Sequence, residues 1–517
     1  MSLSRRTFLR STGAIAAALA TSGLPAAAAA QGASPLFALG VASGDPLPDG
    51  VVLWTRLAPD PLAEDGGMRP RPMPVDWEVA EDETFGRVVQ RGTFEATPDL
   101  AHSVHVDVRG LRPASWYWYR FRSASEISPV GRTRTAPEAG ANPERLRFAF
   151  ASCSQYEHGY FTAYRRLAEE DLDLAVHLGD YIYEYAAQEY VAPDGNVRDH
   201  VGPEMVTLAN YRQRHAQYKT DPDLQAAHAA LPWIVTWDDH ETENNYADEI
   251  PEDGQSREAF RARRAAAYQA YWEHLPLREP PRGIDLPLYR RLTFGRLAEF
   301  NVLDTRQYRT DQPCGDEFPG QCAERSDPSA TITGAEQERW LLDGLDRSAA
   351  RWNVLAQQVF LAQIDLVEGA GQGFYVDGWD GYVASRDRLM DFIARRQPID
   401  PINLVVLTGD WHANWLADLK ADFDDPASAT LGTELVGTSI TSGGDGVDRD
   451  REGETVLAEN PHIRFHNNQR GYVRCELTPD RWRADYRVLE YVRREGSPVA
   501  TRASFVIENG IAGAQQA

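Results

Sequence analysis

One short segment, residues 174–185, limits the folds open to this chain more than any other part of the sequence. It reads L-A-V-H-L-G-D-Y-I-Y-E-Y, an apolar run of strand length that ends at Gly179 and is followed by Asp180 and Tyr183. Layered α/β enzymes place ligand and metal groups at strand ends of this kind. A carboxylate can bridge two cations, and a tyrosine phenolate is a hard ligand suited to a trivalent metal. The alternative is a strand followed by a loop of surface aromatics.

Three further apolar runs end in the same way, with polar residues directly after the run. The polar segments are residues 152–155 (S-C-S-Q), 237–245 (W-D-D-H-E-T-E-N-N) and 408–414 (T-G-D-W-H-A-N). Each pattern is weak alone, but the strands of a layered sheet hold their ends on one rim. We therefore expect the four segments to form one shared metal site.

Strand and helix patterns alternate from about residue 144 onward, which indicates a layered α/β domain. Residues 35–136 instead show an all-β pattern, with an aromatic strand at 116–122 (W-Y-W-Y-R-F-R) like those of fibronectin-type sandwiches. A linker-like stretch, T-A-P-E-A-G-A-N-P, joins the two parts. The sequence predicts a small β-sandwich domain at 31–140, with a structural role, and an α/β catalytic domain at 141–517.

The first thirty residues are interpreted as an export signal. The motif S-R-R-T-F-L-R at residues 4–10 precedes an Ala-rich run that ends near Ala30, which resembles a twin-arginine signal peptide. The alternative is a disordered basic start. The twin-arginine export machinery carries folded proteins, which suits an enzyme whose cofactor is inserted before export. No later apolar run reaches the roughly 18 residues of a membrane span, so we expect a periplasmic or secreted protein without a transmembrane segment.

The charge of the chain disfavours one broad class of function. The 517 residues carry a formal net charge of −24. Such a surface repels nucleic acid and anionic membranes at long range, so a nucleic-acid-binding module is not expected. An anionic substrate would need a local cationic site, most simply bound metal.

Two of the four cysteines are close enough in sequence to suggest a bond. Cys314 and Cys322 lie eight residues apart in a segment rich in Gly and Pro. In an oxidising compartment this spacing predicts a small disulfide. Cys153 and Cys475 are too far apart for any pairing to be inferred.

The order of the four polar segments resembles that of the calcineurin-like metallophosphatases. Their usual blocks read D-x-H, G-D-x-x-D, G-N-H-[DE] and G-H-x-H. Here Cys153 takes the likely ligand position of the first block, and Asp180 keeps the bridging carboxylate of the second. Tyr183 stands where many members have Asp, a spacing similar to that of the purple acid phosphatases, whose tyrosinate binds ferric iron.

The last two blocks depart from that pattern and indicate one branch of the superfamily. Asp239 lies at the metal-binding Asn position and His240 at that of the catalytic His, whereas Asp410 and His412 take the two His positions of the fourth block. Together with L-D-T-R-Q-Y-R at residues 303–309, these motifs resemble the PhoD-like alkaline phosphatases and phospholipases D. The resemblance runs from about residue 37 to residue 491, and it implies a metallophosphatase-like α/β sandwich with ferric iron and calcium at a phosphate-cleaving site.

The residue types agree with the metals that the resemblance implies. Thiolate, phenolate, carboxylate and imidazole form an anionic set able to hold Fe³⁺, and these are Cys153, Tyr183, Asp180 and His412. The remaining oxygen donors suit calcium, whose coordination is flexible, and these are Asp239, Asp410 and Asn245. Because the set is poor in histidine compared with a di-zinc site, zinc is the second choice.

Phosphoester cleavage requires neutralised phosphate charge and an aligned nucleophile. A hydroxide held by the metals is the candidate nucleophile, with Asp180 as the bridging carboxylate. His240 is the candidate general acid or transition-state stabiliser, and a core histidine bonded to a carbonyl is its alternative. Arg306 could clamp a phosphate oxygen, although an ion pair with Asp304 or Asp311 is equally open.

The sequence thus predicts an exported, metal-dependent phosphoester hydrolase of the alkaline phosphatase type, acting on phosphate mono- or diesters. A phospholipase D acting on phospholipid head groups is the alternative among enzymes. Such a lipase-like enzyme should expose apolar residues beside the site, where Trp379 and Tyr382 are the nearest candidates. A surface binding protein with a degenerate metal site is the third possibility, and the presence of Asp180 and His240 counts against it.

Overall fold

A computed structural model describes residues 36–517 except residues 253, 398 and 400. The predicted export signal at residues 1–30 lies outside these described residues. The strands before residue 140 are β1 (Val41–Leu47), β2 (Gly50–Arg56), β3 (Met73–Ala80), β4 (Val88–Ala96), β5 (Ser103–Arg109), β6 (Trp116–Ser123), β7 (Glu126–Ile127) and β8 (Gly131–Arg134).

The rest of the chain alternates strands with helices. Its strands are β9 (Leu146–Ala151), β10 (Leu174–Leu178), β11 (Pro232–Thr236), β12 (Arg290–Phe294), β13 (Ala298–Val302), β14 (Trp352–Ala356), β15 (Leu404–Thr408), β16 (Asn414–Lys420), β17 (Thr430–Val436), β18 (Gly446–Val447), β19 (Ile463–Gln469), β20 (Gly471–Leu477), β21 (Arg481–Leu489), β22 (Val499–Glu508) and β23 (Gln515–Gln516). Its α-helices are α1 (Thr162–Glu169), α2 (Leu208–Lys219), α3 (Pro222–Ala230), α4 (Arg257–His274), α5 (Gly334–Arg347), α6 (Val383–Arg396) and α7 (Arg451–Glu459).

Two large sheets form the centre of the molecule. The first has the strand order β23-β22-β21-β20-β9-β10-β11-β1-β2-β5, and the second has the order β12-β13-β14-β15-β17-β16-β19-β18. The central strands β9, β10 and β11 are parallel to one another, as are β13, β14, β15 and β17. Parallel strands buried on both faces read as continuous apolar runs, which is how these segments look in the sequence.

The two sheets pack face to face, and helices cover both outer faces. Side chains alternate along β9, so that Phe148 and Phe150 pack between the sheets while Ala149 and Ala151 pack against the helices. Helices α1 to α4 cover the first sheet, and α5 to α7 cover the second. The predicted α/β sandwich of the metallophosphatase type is therefore confirmed.

The predicted all-β character of the N-terminal region is also confirmed, but its strands divide between two sheets. Strands β3, β4, β6, β7 and β8 form a small antiparallel sheet. Strands β1, β2 and β5 instead extend the first large sheet, because β1 pairs in parallel with β11. The sequence analysis missed β1, which reads V-A-S-G-D-P-L and owes its extended form to this pairing rather than to strand propensity. The division of the chain near residue 140 stays a prediction.

Local capping residues set where the helices near the site begin. Thr207 caps α2 through a capping box with Asn210, and Asp221 accepts hydrogen bonds from the first backbone N–H groups of α3. The predicted disulfide between Cys314 and Cys322 is formed. Within the described part of the chain, no helix combines the length and apolar character needed to cross a membrane.

Candidate metal centre

The four polar segments singled out in the sequence lie together at the carboxyl ends of β9, β10, β11 and β15. Their key residues have left-handed backbones, with φ of 60° at Cys153, 53° at Asp180, 57° at Asp410 and 60° at His412. Residues other than glycine adopt this conformation where the surroundings force it, and such positions concentrate at functional sites. Here the backbone N–H of Cys153 donates to Gly179 O at 3.1 Å and that of Ser154 to Asp180 O at 2.8 Å.

The ends of β10 and β11 approach each other so closely that a glycine is required between them. Gly179 has φ of 106°, and a Cβ atom there would lie 2.4 Å from the backbone N of Asp238. Glu241 joins the same two segments by accepting hydrogen bonds from the backbone N–H groups of Asp180, Tyr181 and Asp238, at 3.1, 2.6 and 2.8 Å. Burial raises the pKa of Glu241 to about 7. The sequence analysis gave this residue no role, although it is the acid of the D-D-H-E motif.

Asp180 lies at the junction of three groups of side chains whose candidate ligand atoms fall within 4.8 Å of one another. The groups are Cys153–Asp180–His412, Asp180–Asp239–His240 and Asp180–Asp238–Asp410. The structure thus brings together all of the predicted Cys, His and Asp ligands. It adds Asp238, which the sequence analysis passed over in favour of its neighbour.

The thiol, phenol and imidazole groups form one side of this centre. The Tyr183 hydroxyl donates to Asp180 Oδ2 at 3.0 Å, lies 3.1 Å from His412 Nε2 and accepts from Ser442 Oγ at 2.7 Å. The Cys153 thiol is buried and donates to Ser152 Oγ at 3.2 Å. Burial, reinforced by the nearby Asp180 carboxylate, raises the pKa of both Cys153 and Tyr183 well above the usual values.

Carboxylate and amide oxygens form the other side. Asp238 Oδ1 accepts from Arg306 Nε at 2.5 Å, and the Tyr375 hydroxyl donates to Asp410 Oδ2 at 2.5 Å. Three buried oxygens in this region have no hydrogen-bond partner among the described residues, and these are Asp180 Oδ1, Asp238 Oδ2 and Asn245 Oδ1. A buried oxygen without a partner is costly unless a ligand satisfies it. This donor set therefore fits bound cations.

Asp239 and Asp238 are adjacent but differ in what their oxygens contact. Asp239 Oδ1 accepts from the backbone N–H of His240 at 3.0 Å, and its Oδ2 accepts from that of Asn245 at 2.7 Å. Burial opposes ionisation of Asp239, but the charges of His240 and Arg306 outweigh it and lower its pKa to about 2. Because both Asp239 oxygens are already hydrogen-bonded, Asp238 has the more available oxygen. The prediction that Asp239 is a ligand stays a prediction.

His240 is oriented by a carboxylate on one face of the site. Its Nδ1 lies 2.8 Å from Glu184 Oε2, and its ring stacks on Tyr183 with centroids 4.2 Å apart. Burial lowers the pKa of His240, but the surrounding carboxylates of Asp239, Glu184 and Asp180 outweigh burial and raise it well above the usual value. The contact is with a carboxylate rather than with a backbone carbonyl, the alternative that the sequence left open.

Arg306 pairs with carboxylates other than the two considered from the sequence. Its guanidinium donates to Asp377 Oδ1 and Oδ2 at 2.8 and 2.7 Å, in addition to its bond to Asp238. Arg306 contacts Asp304 only through its backbone N–H, which donates to Asp304 Oδ1 at 3.0 Å. Since the guanidinium is fully buried and engaged with two carboxylates, this geometry favours a role in holding Asp238 in place. Its predicted role as a phosphate clamp stays a prediction.

Two facing sheets flanked by helices, with acidic groups gathered around one carboxylate at the strand ends, define a metallophosphatase-like hydrolase. Comparison with known families narrows this class. The family model for PhoD-like phosphatases matches residues 148–486, and the model for the N-terminal domain of PhoD-like phosphatases matches residues 23–137. The chain belongs to the PhoD-like phosphatase family and is a phosphoester hydrolase.

Individual relatives agree with this assignment. Alkaline phosphatase D of Bacillus subtilis (strain 168) is 56% identical over 474 residues, which cover 91% of this chain and 81% of the relative. A solved structure described as "Structure of PhoD" is 55% identical, with a TM-score of 0.91 and coverage of 94% of this chain and 93% of that one. The sequence-based identification of the family is therefore confirmed.

Proposed function

We propose that this chain is an exported alkaline phosphatase that works with ferric iron and calcium. The observation that supports this most directly is the position of Asp180. It belongs to all three ligand groups, and its Oδ1 is buried without a hydrogen-bond partner among the described residues. A carboxylate shared by neighbouring ligand groups is suited to bridge two cations, and two-metal centres stabilise both the attacking and the leaving oxygen of a phosphoester.

Fe³⁺ is assigned to the side of the centre that carries thiol, phenol and imidazole groups, because these become strong anionic ligands when deprotonated. Its ligands would be Cys153, Asp180, Tyr183 and His412. Ca²⁺ is assigned to the oxygen-rich side, where carboxylates and an amide suit its flexible coordination. Its ligands would be Asp180, Asp238, Asp410 and Asn245. Asp239 is a further candidate ligand. Zinc is the second choice, because His412 and His240 are the only histidines in the three ligand groups of the described residues.

Bound metal ions would neutralise the phosphate oxygens and lower the pKa of a water molecule to supply the nucleophile. The protein's own contribution to the reaction centres on His240. Glu184 engages its Nδ1, which leaves Nε2 as the nitrogen able to give a proton to the leaving-group oxygen. Tyr183 stacks against the imidazole and fixes the plane of the ring.

Phosphate monoesters are the proposed substrates, with diesters as a second class handled by the same centre. A phospholipase D would need exposed apolar residues beside the site to hold a lipid. Trp379 and Tyr382, the candidates named from the sequence, are 2% and 0% exposed. No observation among the described residues favours the phospholipase.

Export through the twin-arginine machinery to the periplasm or the exterior is part of this proposal. It rests on the S-R-R-T-F-L-R motif and on the disulfide between Cys314 and Cys322, since disulfides persist in oxidising compartments. Fusing residues 1–35 to a reporter tests it. Replacing Arg5 and Arg6 with Lys should retain the reporter in the cytoplasm, and unchanged export would contradict the assignment.

The test of the activity is hydrolysis of a phosphate monoester and a phosphate diester, each with calcium and with a chelator. We expect chelator-sensitive release that is faster for the monoester. A strong preference for the diester would favour the phospholipase alternative. No hydrolysis of either ester by metal-replete protein would overturn the proposal. Asp343→Asn, on the exposed face of α5, is a matched control for removal of one carboxylate and should keep full activity.

A further inference from the structure

The loop closed by the disulfide lies against the rim of the candidate metal centre. This disulfide loop runs from Cys314 to Cys322, and it carries the half-buried Asp316. Asp316 Oδ2 accepts a hydrogen bond from Asn245 Nδ2 at 2.7 Å, across 71 residues of sequence. The disulfide loop therefore contacts a residue of the calcium side directly.

Of the remaining polar atoms of Asn245, all but one are hydrogen-bonded. Its backbone N–H donates to Asp239 Oδ2 at 2.7 Å, and its backbone carbonyl accepts from Gln312 Nε2 at 2.5 Å. Its φ of 50° places it in the left-handed region. With Nδ2 engaged by Asp316, only the buried Oδ1 has no hydrogen-bond partner among the described residues.

The carboxylate of Asp316 selects one of the two orientations open to the Asn245 amide. An amide group has a donating NH₂ end and an accepting oxygen end, and an ionised carboxylate only accepts. Reversing the Asn245 amide would set its oxygen against the oxygen of Asp316 and lose the hydrogen bond. The observed orientation directs Oδ1 away from Asp316 and leaves it available to a cation. Mutation of partners that orient ligands in this way typically lowers metal affinity or activity by about 10- to 100-fold.

The conformation of the disulfide loop is consistent with a functional demand on Asp316. Cys314 and Asp316 have φ of 61° and 55°, a region that side-chain-bearing residues adopt only when other contacts hold them there. The disulfide supplies one such constraint. Two backbone hydrogen bonds between Gly320 and Phe374, at 2.9 and 3.0 Å, supply another at the far end of the loop. These contacts fix Asp316 opposite Asn245.

We propose that Asp316 is a positioning residue that orients the Asn245 amide for calcium, and that the disulfide loop presents it. The proposal rests on the proposed function, in which Asn245 is a calcium ligand. Asp316 itself does not contact the reacting atoms. It acts by presetting which atom of Asn245 faces the cation, so that no reorientation is needed when calcium binds.

Calorimetric titration of calcium chloride into iron-loaded protein, after removal of calcium with EGTA, tests this proposal. Asp316→Ala should weaken calcium binding by about 10- to 100-fold, the usual effect of removing such a partner. Asp316→Asn keeps an acceptor atom, so its calcium affinity should fall much less. Combining Asp316→Ala with Asn245→Ala should give the same Kd as Asn245→Ala alone, because Asp316 acts only through Asn245.

Two further variants separate positioning from charge and from loop stability. Glu324→Gln removes an exposed carboxylate two residues beyond Cys322 and should leave the calcium Kd unchanged. Cys314→Ser/Cys322→Ser opens the disulfide loop and should weaken calcium binding in the wild-type background but not in the Asp316→Ala background.

Three results would overturn the proposal: an unchanged Kd in Asp316→Ala, additive losses in the Asp316→Ala/Asn245→Ala double variant, or an equal loss in Glu324→Gln. Failure of the wild-type protein to bind calcium would instead overturn the proposed function. Melting temperatures of each variant without calcium show whether the protein is folded. Should Asp316→Ala not fold, Asp316→Asn and Asp316→Glu provide the same comparison. The loss of calcium affinity in each should be smaller the better its side chain still accepts a hydrogen bond from Asn245 Nδ2.

Discussion

The chain contains two buried polar regions of opposite character, an acidic centre at the strand ends and a basic cluster where the N-terminal strands meet the helices. The acidic centre consists of the three ligand groups around Asp180. The basic cluster consists of Arg56 at the end of β2, His215 and Lys219 on α2, and His274 at the end of α4, all of them buried. Both regions lie inside the protein, so burial alone does not distinguish a site from a structural contact.

The side chains of the basic cluster contact one another and the groups packed around them. The His274 imidazole contacts Arg56 Nη1 on one side and Ala270 O on the other, both at 2.7 Å, and stacks on His215 at 4.9 Å. The Lys219 ammonium lies 4.2 Å from the centre of the Trp54 ring, a cation–π contact. Among the described residues, the groups able to hold a metal ion contain none of these side chains.

Burial favours the neutral forms in both regions, but the consequences are opposite. Burial raises the pKa of Asp180 and Asp238 and lowers the pKa of His215 and His274. A cation would stabilise the acidic centre, where candidate ligand atoms of neighbouring acids lie within 4.8 Å of one another. Protonation of His215 and His274 would destabilise the basic cluster, because it would add buried positive charge beside Arg56 and Lys219. The comparison therefore predicts that changes in the acidic centre affect activity, whereas changes in the basic cluster affect stability toward acid.

The largest effect is expected for Asp180→Asn. This substitution should lower turnover by on the order of 10³-fold or more, because the shared carboxylate of the metal centre is lost. The same change removes one of several clustered carboxylates, so the metal-free variant should melt at or above the temperature of the metal-free wild type. Steady-state kinetics and thermal melts in chelator measure the two effects. Near-normal turnover in a folded Asp180→Asn variant would break the shared-site interpretation.

His240→Ala should produce the next largest loss. Removal of a general acid costs turnover about 10²- to 10⁴-fold, while metal content should change far less. Kinetics together with metal analysis of the purified variant test this expectation. Equal losses of turnover and of bound metal would make His240 a ligand. A substrate with a good leaving group, which needs little protonation, should recover much of the activity.

Glu241→Gln should have a moderate effect, because Glu241 accepts three backbone N–H groups of the acidic centre without being one of its ligands. A Gln side chain replaces one accepting oxygen with an NH₂ group that faces backbone donors. We expect metal affinity to fall about 10-fold, together with a lower melting temperature. Full metal affinity in this variant would show that the backbone positions of Asp180 and Asp238 do not depend on Glu241.

The smallest effect on activity is expected in the basic cluster, where His274→Gln should leave turnover at pH 8 unchanged. The cluster should instead control stability in acid. Burial lowers the pKa of His274 and of His215 well below the usual 6.5, so the unfolded chain binds more protons than the folded chain. The resulting stabilisation is present above about pH 6.5 and is lost as the pH falls toward the folded-state pKa.

Thermal melts of the chelator-treated protein between pH 8 and pH 4 measure this dependence. The melting temperature of the wild type should fall with acidification, and the fall should be shallower in His274→Gln, even if that variant is less stable at pH 8. Identical pH profiles would show that the buried imidazole of His274 does not contribute to the acid response.

Much of the fold and the candidate site could be predicted from local sequence. Strand-length apolar runs ending in polar residues located β9, β10, β11 and β15, because a buried parallel strand leaves its polar residues only at its end. The residue types there, from Cys153 to His412, agreed with the ferric iron and calcium that the family resemblance implied, and the identity of the ions stays a proposal. The short spacing of Cys314 and Cys322 was sufficient to predict their disulfide.

Contacts between distant residues could not be predicted in this way. Arg306 lies between Asp304 and Asp311 in the sequence, yet its guanidinium pairs with Asp377, 71 residues away. Asp316 accepts a hydrogen bond from Asn245, which is likewise 71 residues away in the sequence. Such long-range pairings leave no periodic signal in the chain, because they depend on how separate loops pack.

The sequence by itself determined the chemistry available to this protein, namely which acids, thiol, phenol and imidazoles stand at the ends of its buried strands. Only the tertiary structure shows that Asp238 has an oxygen without a hydrogen-bond partner among the described residues, whereas both oxygens of Asp239 are hydrogen-bonded. Adjacent residues in a turn point in different directions, and the contacts of Gly179, Glu241 and Arg306 set which direction each one takes. Residue types and strand periods are local properties of a chain, whereas the convergence of side chains on one point is a property of the packed fold.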